Sequence, residues 1–179
     1  MSNDEYESLR DAYRRKEQAE APAPWRRVQV YVNGITAVGF GAGTELLLVL
    51  THSGLGVIDV VTGATVARKG EEDISVDDPY PTYATGIGPL AGQRIPLAGL
   101  WGGGLKTTAL DGWVVHRASP NWPADCAVLC PPDSPELEDV AVATMLVKDL
   151  DPAIRALGFS DSGRSLVVAN TDLFLWNRP

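Results

Sequence analysis

The sequence has few of the residues that build metal centres and disulfide frameworks. Only two cysteines and two histidines occur among its 179 residues, too few for a Cys/His zinc cluster. Cys126 and Cys130 would lie about 13 Å apart along one strand, whereas a disulfide requires Cα atoms within about 7 Å. We therefore expect two reduced thiols, one or both of them buried, and no metal site.

The chain also lacks an excess of basic residues and any long apolar run. Its 15 Lys and Arg residues are outnumbered by 23 Asp and Glu residues, which gives a net charge of −8. This balance disfavours nucleic acid, whose phosphates need a basic footprint, and it favours encounter with a basic partner. No apolar run approaches the ~18 residues of a membrane span, and the acidic N-terminus is not a signal peptide. We expect a cytoplasmic protein with no membrane contact.

Motifs for catalysis and cofactor binding are missing as well. Residues 99–107 resemble a P-loop, but one residue too many precedes Lys106 and strands are predicted to follow. We interpret this stretch as a tight turn. No Gly-x-Ser-x-Gly elbow and no calcium-loop spacing of carboxylates occurs. With only His52 and His116 as acid–base candidates, we predict a non-enzyme without a cofactor, and an unrecognised hydrolase is one alternative.

The first 25 residues are predicted to form a helix and a Pro-rich linker. Ser2 and Glu5 have the spacing of a capping box, and apolar residues then recur at helical intervals over residues 3–19. Two prolines within residues 19–24 end the helix. We expect the helix to pack on its own β-body. Exchange onto a neighbouring molecule or docking to a partner are the alternatives.

Residues 26–179 are predicted to form one β-repeat domain, because three similar stretches recur in it. Each begins with an isoleucine, Ile35, Ile95 or Ile154, followed four residues later by a glycine and then by a large apolar residue. A turn and a second apolar run come next, and a fixed period of this kind indicates stacked similar units. The units are placed near residues 35–69, 95–130 and 154–179.

The strand ahead of the first unit has two candidate partners. Alternating apolar residues over 28–32 predict a half-buried strand, and Asn33-Gly34 directly after it favours a tight hairpin with residues 35–40. Alternatively, this strand pairs with the end of the third unit, which lacks a fourth strand of its own. Both pairings cannot hold in simple form, and the sequence leaves the choice open.

The third unit resembles a blade of a WD40-type β-propeller. Residues 154–177 contain an apolar strand, a Ser-x-x-Gly turn, a second strand, a polar turn and a third strand ending in Trp176-Asn177, where the family has Trp-Asp. Residues 59–63, Asp-Val-Val-Thr-Gly, resemble a turn of quinoprotein-like propeller repeats. The resemblance implies a mainly β, small propeller-like protein of about three antiparallel units that serves as a binding platform. Closure by three blades alone and closure by two chains as a homodimer both stay open.

Two acidic loops and a group of aromatic residues are the predicted contact region. Aromatic side chains beside acidic loops are typical of interface anchors. The predicted binding residues are Glu71, Glu72, Asp73, Asp77, Asp78, Tyr80, Trp101, Trp113, Trp122, Glu136, Glu138 and Asp139. The predicted function is a non-enzymatic protein–protein binding module, and in its specific form an inhibitor or immunity-type protein for a basic toxin. The alternative is a domain that binds a small molecule or a peptide.

Overall fold

The computed structural model describes residues 2–70 and 81–179. Over these residues the chain is mainly β, and its single α-helix, α1 (Asn3–Arg15), precedes fourteen strands. In chain order the strands are β1 (Arg26–Val28), β2 (Ile35–Phe40), β3 (Leu46–Thr51), β4 (Gly54–Asp59), β5 (Thr65–Gly70), β6 (Tyr83–Thr85), β7 (Arg94–Pro96), β8 (Ala98–Gly99), β9 (Val114–Ala118), β10 (Asp125–Cys130), β11 (Thr144–Leu150), β12 (Ala156–Phe159), β13 (Ser165–Ala169) and β14 (Leu173–Asn177). The prediction of a mainly β protein with an N-terminal helix is confirmed.

The strands form four antiparallel sheets. The first sheet has the spatial order β5-β4-β3-β2-β8, the middle sheet β11-β10-β9 and the last sheet β1-β14-β13-β12, while β6 and β7 form a two-stranded ribbon. Within the described residues these strands form no closed barrel or propeller.

Four apolar clusters define the order in which these layers pack. One lies between the middle and last sheets, one between the last and first sheets, one between the first sheet and the ribbon, and one between α1 and the middle sheet. Strand β10 shows the cause, because its side chains alternate: Leu129 faces the last sheet while Val128 faces α1. The stack therefore runs from α1 through the middle, last and first sheets to the ribbon.

Helix α1 packs on its own middle sheet and ends four residues earlier than predicted. The helix was expected to reach residue 19, but its last residue is Arg15. Beyond it, the backbone N–H of Ala19 donates to the carbonyl of Met145 at 2.9 Å, and the N–H of Lys148 donates to the Gln18 side chain at 3.1 Å. These bonds to β11 replace the ones that a further helical turn would make.

The last sheet is completed by the N-terminal strand. β1 pairs with β14, with Arg27 opposite Trp176, so of the two alternatives the pairing with the third unit is confirmed and the tight hairpin at Asn33-Gly34 is wrong. Asn33 forms an isolated bridge with Asp172, directly before β14. The side chains of Val28, Val30 and Val32 pack against the apolar cluster between the last and first sheets.

Contacts of Arg178 near the C-terminus hold β1 and β14 together, and we call them the C-terminal latch. Arg178 is 8% exposed and donates from Nε and Nη2 to the Gly163 carbonyl at 3.0 and 2.9 Å. Its guanidinium also pairs with the Asp111 carboxylate and lies 4.7 Å from the ring centre of Trp25. The latch joins the end of β14 to the residue before β1.

A central segment, residues 98–108, contacts all three main sheets. The N–H of Leu100 donates to the carbonyl of Thr36 in β2 at 2.8 Å. The Lys106 carbonyl accepts from β12 at 2.7 Å, and the Thr107 carbonyl accepts from β9 at 2.9 Å. One strand of each main sheet, β2, β9 or β12, is therefore hydrogen-bonded to this segment.

The glycines of the sequence repeat permit close approach between neighbouring segments, Gly39 beside β7 and Gly99 and Gly158 at the central segment. A Cβ atom on Gly39 would lie 2.3 Å from the carbonyl oxygen of Pro96, and one on Gly158 would lie 2.5 Å from Cβ of Leu105. Gly99, the equivalent residue of the second stretch, would place a Cβ 2.3 Å from a backbone oxygen of β2. Gly158 therefore lies where the central segment touches β12, Gly99 is part of that segment, and Gly39 lies where β7 touches β2.

The predicted middle unit, residues 95–130, does not coincide with one sheet. Its residues lie in the ribbon, the first sheet, the central segment and the middle sheet. The chain turns back at residues 99–103, where Gly99 and Gly102 exchange backbone hydrogen bonds of 2.9 and 3.1 Å. The interpretation of the P-loop-like stretch as a tight turn is thus confirmed.

Candidate functional site

The N-terminal turn of α1 presents carboxylates to solvent. Ser2 and Glu5 form the predicted capping box: the Ser2 hydroxyl accepts from the Glu5 N–H at 3.2 Å, and the Glu5 carboxylate accepts from the Ser2 N–H at 2.6 Å. Negative charge is favourable here because the helix dipole is positive at this end. Asp4 lies beside Glu5 and has no side-chain hydrogen bond or ion pair within the described residues.

The loop between β10 and β11 is held against α1 and β9 by three hydrogen bonds. The hydroxyl of Tyr13 donates to the Leu137 carbonyl at 2.7 Å, and Nζ of Lys16 donates to the Val140 carbonyl at 2.6 Å. On the other side, Nε2 of His116 lies 2.8 Å from the Pro135 carbonyl oxygen. The second acidic loop of the sequence is therefore ordered by contacts to two other elements.

Bonds within this loop orient its acidic side chains. The Ser134 hydroxyl donates to the Asp139 carboxylate, and the Asp139 N–H donates to the Glu136 carbonyl at 3.4 Å. Glu136, Glu138 and Asp139 are all exposed. These three predicted binding residues lie together on one surface.

A groove of about 710 Å³ separates the start of α1 from this loop. Three carboxylates surround it, those of Asp4, Glu5 and Glu138. The other lining residues are Ser8, Leu9, Ala12 and Val140. In the described part of the chain, no basic side chain lines this acidic groove.

Burial, together with the acids of this loop, raises the pKa of the Tyr13 hydroxyl and of the Cys130 thiol. The pKa of the Tyr13 hydroxyl lies well above its ordinary value, first because the side chain is buried and then because Cys130, Glu138 and Asp139 add negative potential. Burial, followed by the charges of Asp139 and Glu136, raises the pKa of the Cys130 thiol to about 11. The loop therefore creates a negative potential that reaches the underlying β10 surface.

The first predicted acidic loop cannot be placed in this surface. The predicted residues Glu71, Glu72, Asp73, Asp77, Asp78 and Tyr80 lie outside the described residues.

The three predicted tryptophans occupy separate places. Trp113 is buried and packs edge-on against Trp25 with ring centres 6.0 Å apart, so it is part of the core. Trp101 is half-buried against the cluster between the first sheet and the ribbon. Trp122 is 81% exposed in the β9–β10 loop, at the opposite end of β10 from the acidic groove. The tryptophans do not form one patch with the acids.

Sequence reasoning missed the helical half of the groove. From the sequence, Glu5 is predicted only as the capping residue of an amphipathic helix. The capping box places Glu5 in the first helical turn beside Asp4, and this is the available signal. The sheet against which the helix packs could not be predicted, because it depends on which face of β10 is left uncovered.

Neither histidine lies in an arrangement typical of acid–base catalysis. His116 is bonded to a backbone carbonyl, and His52 is exposed in the β3–β4 turn. Within residues 2–70 and 81–179, neither forms an ion pair with a carboxylate, and no group of three His, Cys, Asp or Glu side chains could hold a metal ion. Both cysteines are free and buried on β10, as predicted.

No family model and no curated protein matches this chain. Among the described helices, none has the length and apolar character needed to cross a membrane.

Proposed function

We propose that this protein is a non-enzymatic binding module for a basic protein partner, which it engages through the acidic groove. The observation that carries the proposal is the combination of the Asp4, Glu5 and Glu138 carboxylates with the apolar surface of Leu9 and Val140 in one groove. A basic side chain has a charged end and an apolar stem, and this combination suits both parts.

The rigidity of both walls supports the proposal. The capping box fixes the start of α1, and the Tyr13 and Lys16 hydrogen bonds fix the loop. A binding surface that is ordered before contact loses less side-chain and loop entropy on association. The net charge of −8 adds long-range attraction for a basic partner and raises the association rate.

The specific form of this proposal is an inhibitor or immunity-type protein that shields a basic toxin.

We also propose that the three main sheets correspond to propeller-like units that present the groove. A homodimer of six units would need an uncovered sheet face at each end of the stack. Helix α1 and the ribbon occupy those faces, so we favour one chain as the platform. Light scattering that gave a dimer mass would contradict this preference. A cytoplasmic location stays a prediction.

The test is capture of a partner from native lysate at low and high salt, followed by mass spectrometry. Three baits are compared: the unchanged protein, the double variant Asp4→Asn/Glu138→Gln, and a control with the same charge, Glu20→Gln/Asp172→Asn. The control acids are exposed and lie outside the acidic groove. Glu5 is retained in all baits because it caps the helix.

We expect one stoichiometric basic protein that is retained by the unchanged bait and by the control, and that is lost at high salt. The groove variant should bind it about tenfold more weakly or worse, since charge-assisted hydrogen bonds typically contribute about 1.5–3 kcal/mol each. Equal capture by the groove variant and the control would place the interface elsewhere. Binding that does not change with salt would remove the electrostatic argument.

A further inference from the structure

A second cavity, of about 300 Å³, lies between the outer part of the first sheet and the segment that follows β1. Its lining includes Tyr31, Thr51, Gly54, Gly56, Arg68 and Gly70. We refer to this cavity as the glycine cleft. It is separate from the acidic groove and shares no lining residue with it.

Strand register explains why a cleft forms here. Val49, Gly56 and Arg68 lie directly opposite one another on β3, β4 and β5, and therefore point to the same face of the first sheet. Val49 is in the cluster that packs against the last sheet. At the next strand, Gly56 has no side chain to continue that core.

The next set of cross-strand neighbours on the same face of β3, β4 and β5 also contains glycine on β4. Thr51, Gly54 and Gly70 lie opposite one another on the same three strands and all line the cleft. A Cβ atom on Gly56 would meet no heavy atom closer than 3.9 Å. Its missing side chain therefore leaves open space, whereas Gly54 lies against the backbone of β5.

The cleft carries a positively charged side chain, Arg68, on an acidic protein. Arg68 is exposed and makes no ion pair with any described residue. Lys69 lines the cleft too, but strand alternation directs its side chain to the opposite face, with that of its cross-strand partner Leu55. Among the described residues that line the cleft there is no Asp or Glu.

We propose that the glycine cleft binds a small organic anion, whose carboxylate or phosphate group pairs with the guanidinium of Arg68. A guanidinium has the planar fork of donors that matches either group in a bidentate fashion. The apolar part of the ligand lies on the surface left open by Gly56, beside Val49. Tyr31 is 91% exposed at the cleft and supplies an aromatic face for a planar ligand.

The experiment is a titration of the ¹⁵N-labelled protein, followed by amide chemical shifts, with three probes of similar size. Benzoate carries a carboxylate, phenyl phosphate carries a phosphate, and benzyl alcohol is neutral. We expect saturable shifts at Gly54, Gly56 and Gly70 with at least one of the anions and none with the alcohol. The anion that binds more tightly identifies the head group.

Matched variants separate the cleft from general charge effects. Arg68→Gln should weaken the anion at least about tenfold, since a charged hydrogen-bond partner is lost. Arg15→Gln removes the same charge at an exposed residue outside the cleft and should leave the affinity within about twofold, because exposed charges are screened by solvent and salt.

A steric pair tests the cavity itself. Gly56→Val fills the open space and should abolish binding without disturbing the fold, because the nearest atom to the new Cβ is 3.9 Å away and valine suits a strand. Gly104→Val is the control, since a Cβ at this residue would meet nothing within 4 Å and the residue lies outside the cleft. Native amide spectra of both variants establish that they are folded.

The proposal is overturned if neither anion gives saturable shifts at millimolar concentration, or if Arg68→Gln binds as well as the unchanged protein. An equal response to benzyl alcohol would also overturn it, because the cleft would then recognise only apolar surface. None of these three results would bear on the basic-partner proposal, whose residues lie in the acidic groove.

Discussion

Replacement of Gly39 by alanine tests how closely β7 packs against β2. Gly39 lies on β2, and its added Cβ would be 2.3 Å from the Pro96 carbonyl oxygen and 2.8 Å from Cγ2 of Ile95. The first contact is with backbone, so no side-chain rotation can relieve it. An ordinary contact begins near 3.4 Å, and the end of β7 would therefore have to move by about 1 Å.

That movement would strain neighbouring bonds. Residues 97 and 100 donate backbone hydrogen bonds of 2.8 Å on either side of β8, so the ribbon cannot shift alone. Overpacking typically costs about 1–3 kcal/mol, whereas Gly→Ala recovers about 0.4–1 kcal/mol by restricting the unfolded chain. We expect the free energy of unfolding to fall by about 1–2 kcal/mol, and Tm to fall by about 2–8 °C for a domain of this size.

Urea titration and a thermal scan measure the effect, and Gly56→Ala is the control. Both glycines lie on strands of the first sheet, but the Gly56 Cβ would meet nothing nearer than 3.9 Å. The control should be neutral or slightly stabilising. If both variants change stability by the same amount, or if Gly39→Ala has no effect, close packing of β7 against β2 is not the reason for glycine at residue 39.

Three further predictions concern the C-terminal latch and the buried thiols. Arg178→Met removes two hydrogen bonds to a turn carbonyl and a stack on an indole ring, and should lower the free energy of unfolding by about 2–3 kcal/mol in urea titration. Exposed Arg164→Met should cost under about 0.5 kcal/mol, and equal losses would contradict the latch. A hydrogen bond from Arg178 lowers the pKa of the Asp111 carboxyl, so its stabilisation is present above the ordinary pKa of about 4 and is lost as pH falls through the folded value. Because Asp111 is half exposed, Asp111→Asn should cost no more than about 1 kcal/mol at neutral pH, and this difference should shrink on acidification. Cys126 and Cys130 are buried with raised pKa, so they should react with a thiol reagent at pH 8 only after urea unfolds the protein; rapid native labelling would contradict this burial.

Local patterns in the sequence predicted the elements that depend on neighbouring residues. The capping box of Ser2 and Glu5 is present, and residues 35–40 form a strand with the predicted bounds. These features follow from hydrogen bonds within one turn and from apolar side chains that any packing partner would bury. The same reasoning failed at Asn33-Gly34, where a strong hairpin signal was overridden by pairing of β1 with β14.

The candidate site was predictable only in part, since one of its walls is a loop and the other is a helix distant in sequence. Glu138 was identified from composition, and the structure adds Asp4 and Glu5 to the same groove. Trp113 shows the converse, because an aromatic residue beside acidic loops proved to be a core residue against Trp25. Composition cannot tell a buried indole from an exposed one when both lie near turns.

The sequence by itself determined a mainly β chain with a capped N-terminal helix, an acidic surface and a repeated glycine. Each of these depends on residue type or on short-range periodicity. Only the tertiary structure decided which strand closes the last sheet, that the middle stretch crosses between sheets instead of starting a new one, and that α1 meets the acidic loop. These outcomes depend on which apolar faces and which unpaired strand edges remain after local structure has formed, and residues far apart in the chain compete to cover them.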